Sequence, residues 1–354
     1  MATRLALRFT LRHSSAILKT TVVLVSLVSF LSGSRLPAAT PPPVTVILDT
    51  DMSGDCDDVG ALAVLNKFAD FGEAKILACV ANGHDQDKAI AASIDAINTY
   101  YGRPHIPIGT YQGPKCPPTK SPYTASLRDT FQHTAFQHTA FPDDREPRAV
   151  DVYRSALASA DDNSVTIVSI GFLINLEELL QSPPDARSPL NGAELVRKKV
   201  KRLVVMGGEF PKSDPNKGEY NFASGGGGID TQYAIENWPT PILFSGFEIG
   251  AAIHTGAKLA AAPADDPVRR AYELYTSFKG RPSWDLTAVL TAVRNPDLYW
   301  TMKLNGYCKV NANGTDAWSP TPARGHSYLV VKVPPADVAK LLDHLLALPP
   351  KAKN

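Results

Sequence analysis

From residue 44 onward, short apolar runs alternate with stretches in which apolar positions recur every three or four residues. The runs at 44–48, 75–80, 165–170, 202–206 and 241–244 read as strands buried on both faces. Helical periodicity predicts helices near 58–69, 86–101, 173–181, 229–237, 267–278 and 285–294. The end of the chain differs: 303–310 and 327–333 predict strands, and 336–348 a closing helix. Such alternation is the rhythm of a mostly parallel sheet flanked by helices, so the predicted fold class is α/β. Pro-rich and Gly-rich stretches are short and fall at loop positions, which predicts a single domain over 44–354 with no interdomain linker.

The first 40 residues break this pattern. Arg4, Arg8, Arg12 and Lys19 precede an apolar run from Thr21 to Leu31, and small residues with a proline follow to Ala39. That is the order of a secretory signal peptide, predicted over 1–39 with cleavage between Ser34 and Thr40. The run is far shorter than the roughly 20 residues a membrane span needs, so no stable membrane anchor is expected. The expected destination is the periplasm or the outside. Residues 1–40 hold five Lys or Arg and no acid, so their removal takes the formal charge from +1 to about −4. A mildly acidic surface is a poor match for a nucleic acid polymer or an anionic membrane. Cys56, Cys79, Cys116 and Cys308 lie far apart without a CxxC pair, and single buried thiols are expected. The direct repeat QHTAF at 132–141 reads as a loop insertion.

Candidate chemistry concentrates after the first strand. Asp49, Asp51, Asp55, Asp57 and Asp58 place five carboxylates within ten residues, between a buried strand and the start of a helix. In open α/β sheets, ligands collect at the carboxyl ends of strands. Carboxylates this crowded repel one another unless a cation sits among them, and a hard divalent ion is the simplest remedy. An oxygen-only set favours calcium or magnesium over zinc, and calcium better tolerates an irregular cage. Helix capping would occupy one or two of these acids and leaves Asp49 and Asp51 unexplained. A DxD-type magnesium phosphatase, with Asp49 as nucleophile, is an alternative; it has no need of the Asp57–Asp58 pair.

The segment Asp49-Thr-Asp51-Met-Ser-Gly-Asp55-Cys-Asp57-Asp58 resembles the signature of the inosine-uridine nucleoside hydrolase family in its longer spacing. Further landmarks follow in family order: Asn82-Gly, Ile170-Gly, Met206-Gly-Gly with Glu219-Tyr-Asn221, and Asp285 opening a helical pattern. The resemblance implies a Rossmann-like core and a catalytic domain that spans nearly all of the chain after the signal peptide. It implies that Asp51, Asp58, Asp285 and the backbone carbonyl of Ile170 ligate Ca2+, with Asp51 also the catalytic base. Asp57, Asn82, Glu219 and Asn221 would hold the ribose. Many family members carry histidine just before the last aspartate; here Trp284 stands there, which implies base stacking and a purine preference. His254 and His326 are candidate replacements for the missing proton donor. Family members are often homodimers or homotetramers.

The implied reaction is calcium-dependent hydrolysis of the N-glycosidic bond of a small-molecule nucleoside to base and ribose. It proceeds by single displacement with inversion, because no separate nucleophile is present among the matched residues. Two alternatives remain at this level: a non-catalytic exported protein that binds nucleosides or sugars, and the magnesium phosphatase.

Overall fold

A computed structural model describes residues 41–131, 142–212, 214–321 and 324–351. The predicted signal peptide and the QHTAF duplication lie outside the described residues. In chain order the first half comprises β1 (Val44–Thr50), α1 (Asp57–Asp70), β2 (Ala74–Ala81), α2 (Ile90–Tyr100), β3 (Ile108–Thr110), α3 (Thr124–Thr130), α4 (Ala149–Ser159), β4 (Val165–Ser169), α5 (Ile174–Gln181), α6 (Gly192–Lys199) and β5 (Val200–Met206). The second half comprises α7 (Tyr220–Ala223), α8 (Ile229–Asn237), β6 (Ile242–Ser245), α9 (Phe247–Ala251), β7 (His254–Thr255), α10 (Pro267–Thr276), β8 (Arg281–Pro282), α11 (Trp284–Val293), β9 (Trp300–Val310), β10 (Asp316–Ser319), β11 (His326–Val331) and α12 (Pro335–Ala347).

Nine strands form one sheet in the order β10-β9-β11-β6-β5-β4-β1-β2-β3. β9 runs antiparallel to both its neighbours, and the remaining pairings are parallel. The α/β class and the mostly parallel sheet are as the sequence pattern predicts. Strand parity divides the core into two layers. Val46, Leu48, Val168 and Val204 face α1, α2, α11 and α12, whereas Ile47, Ile167, Leu203 and Val205 face α4, α5, α6 and α8. Both faces being covered explains why these strands read as continuous apolar runs instead of alternating.

The strand order reverses at β1: β2 and β3 lie to one side, β4 to β6 to the other. Loops at the carboxyl end of β1 and its neighbours therefore open into a crevice where a ligand can sit against several strand ends at once. The acidic loop is the β1–α1 connection, so the chain order itself delivers the carboxylates there.

Several boundaries differ from the sequence reading. The predicted helix at 86–101 begins only at Ile90, because its first amides are taken by a distant carboxylate: Asp143 Oδ2 accepts from Ile90 N at 3.2 Å and Oδ1 from Ala91 N at 2.9 Å. The short strand β3 and helices α4 and α6 were not anticipated. α6 did carry a signal: Asn191 Oδ1 accepts from Glu194 N at 2.9 Å and Glu194 Oε2 from Asn191 N at 3.0 Å, a reciprocal cap. All four cysteines are buried and free. Among the described residues no helix is long and apolar enough to cross a membrane.

Candidate active site

Asp49, next to last in β1, is wholly enclosed. Its Oδ1 accepts from Asn82 Nδ2 at 2.8 Å and Asn175 Nδ2 at 3.0 Å, and its Oδ2 accepts from the Tyr153 hydroxyl at 2.8 Å. Burial pushes its pKa up to about 7 although all three donors favour the ionised form. Asp49 is thus a knot that ties β1 to β2, α4 and α5. The next acid, Asp51, emerges partly exposed between two glycines. A Cβ at Gly171 would stand 2.6 Å from both Asp51 N and Asp51 Oδ1, and one at Gly83 would stand 3.2 Å from Asp51 Cβ. No larger residue fits at Gly171 without moving the acid.

Asp57 and Asp58 occupy the first turn of α1, and Asp285 the first turn of α11, which packs alongside. Thr50 donates its hydroxyl to Asp58 Oδ1, and Asp285 N donates to Asp57 Oδ2 at 3.4 Å. Carboxylate oxygens of Asp55, Asp57 and Asp285 lie within 4.8 Å of one another. Burial raises the pKa of Asp51, Asp57, Asp58 and Asp285 well above the usual carboxylate range, and repulsion from neighbouring acids, Asp55 in every case, adds to it.

These acids open onto a cavity of about 390 Å³. Asp51, Asp57, Asp58, Ile170, Glu219, Asn221, Trp284 and Asp285 all line it, so eight residues singled out in the sequence converge from segments more than 200 residues apart. Glu219 caps α7: its Oε2 accepts from Asn221 N at 3.0 Å, Gly208 N at 3.2 Å and Phe222 N at 3.3 Å, and burial lifts its pKa to about 7. Asn221 Nδ2 donates to Met206 O at 3.1 Å and lies 3.5 Å from Ile170 O.

Asn82 is different. Its side chain is fully buried, with Nδ2 on Asp49 and Oδ1 accepting from Phe172 N at 2.9 Å, and it does not line the cavity. The structure places it below the floor, where it staples the end of β2 to the Ile170–Phe172 turn. The two histidine candidates also lie elsewhere. His254 is exposed on β7; His326 is buried in β11, its Nδ1 accepting from Cys308 N at 3.1 Å and its pKa lowered by burial to about 4.

Lining residues not foreseen as part of the site include Thr119, Phe172, Tyr220, Phe247 and Arg281. Trp284 stacks on Phe247 with ring centres 5.3 Å apart, and its Nε1 donates to Phe247 O at 2.9 Å. Arg281 stands 4.8 Å from the Trp284 ring and 5.2 Å from Tyr275, donates through Nη2 to Asp55, and through Nε to Asp57 Oδ1 at 3.4 Å. Phe172 and Tyr220 lie beside motif residues already singled out, which was the available signal; Phe247 adjoins none of them, and Arg281 is four residues before Asp285 but nothing in the sequence tells which acid it meets.

The donor set fits a hard divalent cation. Five aspartates and a glutamate face one arginine, every charged donor for a cation is a carboxylate oxygen, and neither His nor Cys lines the cavity among the described residues. The lining can therefore hold a metal ion.

Fold and cavity together define an open α/β enzyme with an acid-floored pocket at the strand-order reversal. The chain belongs to the inosine-uridine preferring nucleoside hydrolase family, whose description matches residues 46–344, and is thereby a hydrolase of N-glycosyl bonds in nucleosides. Among solved structures it is similar to a plant nucleoside hydrolase (18% identity, 87% of this chain and 100% of that one, TM-score 0.61). It is also similar to an inosine-uridine preferring nucleoside hydrolase from Bacillus anthracis (14%, 86% and 99%, 0.61) and a purine-preferring ribonucleoside hydrolase from Gardnerella vaginalis (16%, 85% and 98%, 0.59). At such identities the likeness shows the fold. No curated protein matches the sequence. Family membership leaves the magnesium phosphatase without support.

Proposed function

We propose that the chain hydrolyses ribonucleosides, purine nucleosides foremost, to free base and ribose in a Ca2+-dependent reaction. One observation carries the reading: the acids, the Ile170 carbonyl and the Glu219–Asn221 pair line a single cavity of nucleoside size. Asp51, Asp58, Asp285 and Ile170 O would hold the ion. Ca2+, when bound, supplies a Lewis acid at the cavity floor. Asp51 accepts the proton of the attacking water. Asp57, Glu219 and Asn221 grip the ribose hydroxyls and fix C1′ above that water, which lowers the barrier by positioning. The Phe247–Trp284 stack offers an aromatic wall to the base, and a purine presents more face to it than a pyrimidine.

The test is ribose release from a panel of purine and pyrimidine nucleosides by the mature protein, with Ca2+ and after chelation. Binding without ribose release would favour the non-catalytic alternative; full turnover after exhaustive chelation would remove calcium. Export is part of the proposal, and the N-terminal sequence of protein recovered from the producing cells checks it: it should begin between residues 35 and 40.

A further inference from the structure

Breaking an N-glycosidic bond leaves negative charge on the departing base, and something must meet it. The indole N–H of Trp284 is already committed to Phe247 O, and neither His254 nor His326 lines the cavity. Arg281 is the sole basic side chain among the described lining residues.

Its surroundings hold it firmly in place. Pairing of β8 with β7, Thr255 opposite Arg281, fixes its backbone. Asp55 and Asp57 grip one edge of the guanidinium through Nη2 and Nε, and the plane lies between Tyr275 and Trp284. Nη1 has no protein partner among the described residues, so its two N–H groups remain for a ligand. Asp55, which the proposed metal set does not use, serves to aim this arginine.

We infer that Arg281 is a catalytic residue for the leaving group, donating from its open edge to a purine ring nitrogen as charge develops there. The inference rests on the nucleoside hydrolase reading. The C1′–N9 bond breaks with its electron pair going to the base, while the water oxygen bonds to C1′ and its proton passes to Asp51. Arg281 keeps its proton throughout, since a guanidinium does not give one up near neutrality. The freed purine anion is then protonated by solvent, and Asp51 returns its proton to solvent, so the sum is nucleoside plus water to ribose plus base.

The experiment compares inosine with p-nitrophenyl β-D-ribofuranoside, whose nitrophenolate departs without help, for wild type, Arg281→Gln and Arg281→Lys, all with saturating Ca2+. Removing one such donor typically costs about 100-fold. Arg281→Gln should therefore lose about 100-fold in kcat/KM on inosine and less than about 3-fold on the nitrophenyl riboside. Arg281→Lys, which retains the charge beside Asp55 and guards against a misfolded glutamine variant, should lose about 10-fold on inosine alone. Calorimetric Ca2+ affinity should be unchanged in both. Equal losses on the two substrates, or Ca2+ affinity falling in step with activity, would overturn the proposal by making Arg281 a mere prop of the acid loop. A wild type inert toward both substrates would instead sink the nucleoside hydrolase reading, and this inference with it.

Discussion

Asp51 and Glu219 are carboxylates facing the same cavity, yet their surroundings assign them different work. Asp51 is stripped of water by burial and repelled by Asp55, and both favour its taking a proton. Replacing it with asparagine keeps the shape and removes the base; kcat should fall about 10³-fold while the protein still folds, as turnover and circular dichroism would show. Glu219 spends Oε2 on three backbone amides and is tied in place with its pKa lifted to about 7. It is protonated below that value and an ionised acceptor above it, so KM for a nucleoside should fall as pH rises from about 6 to 8. Glu219→Gln should raise KM about 10-fold and flatten that trend; a KM profile unchanged by the substitution would exclude Glu219 from the sugar grip. The acids were legible because they crowd one loop. Arg281 and the buried role of Asn82 were not, since each depends on a partner from a separate segment: Asp55, between β1 and α1, meets Arg281 on β8, and Asp49 on β1 turns Asn82 inward.

At the scale of elements, strands β1, β2, β4, β5 and β6 were readable because burial on both faces leaves an unbroken apolar signature. The three-residue β3 offers too little chain to show a period, and the onset of α2 depends on Asp143, over fifty residues away. α2 carries a testable cost. Asp95 is buried in its middle, and burial, with repulsion from Glu146, raises its pKa to about 7. The folded state therefore holds a proton that the unfolded chain releases near pH 3.8. Stability from this site is full below that pH and is lost as pH climbs through about 7. Asp95→Asn removes the dependence, so its stability advantage over wild type should grow between about pH 4 and pH 7, by roughly 2–4 kcal/mol, and stay level above. Denaturant unfolding at several pH values measures it; an advantage that does not change with pH would mean that Asp95 is not protonated in the fold.

Across the whole molecule, the proposed ion ties together what the chain keeps apart. Asp51 follows β1, Asp58 lies in the first turn of α1, Ile170 follows β4, and Asp285 lies in the first turn of α11, so no local stretch of unfolded chain can offer the full set. A ligand that binds only the folded state stabilises it by RT ln(1 + [L]/Kd), about 2.7 kcal/mol at a hundredfold excess over Kd. Without the ion, the buried acids at the floor repel and their burial is costly, which works in the opposite direction. The two effects predict a melting temperature that climbs by about 5 °C as Ca2+ is raised through its Kd, falls on chelation, and responds less to Mg2+, which demands stricter geometry. Asp285→Asn separates them. With one carboxylate neutralised, the chelated protein should melt at or above the chelated wild type, while most of the gain from Ca2+ disappears. Should the wild type melt at one temperature whatever the Ca2+ concentration, the floor of the cavity does not bind the ion in the fold, and Arg281 with protons shared among the acids must balance their charge alone.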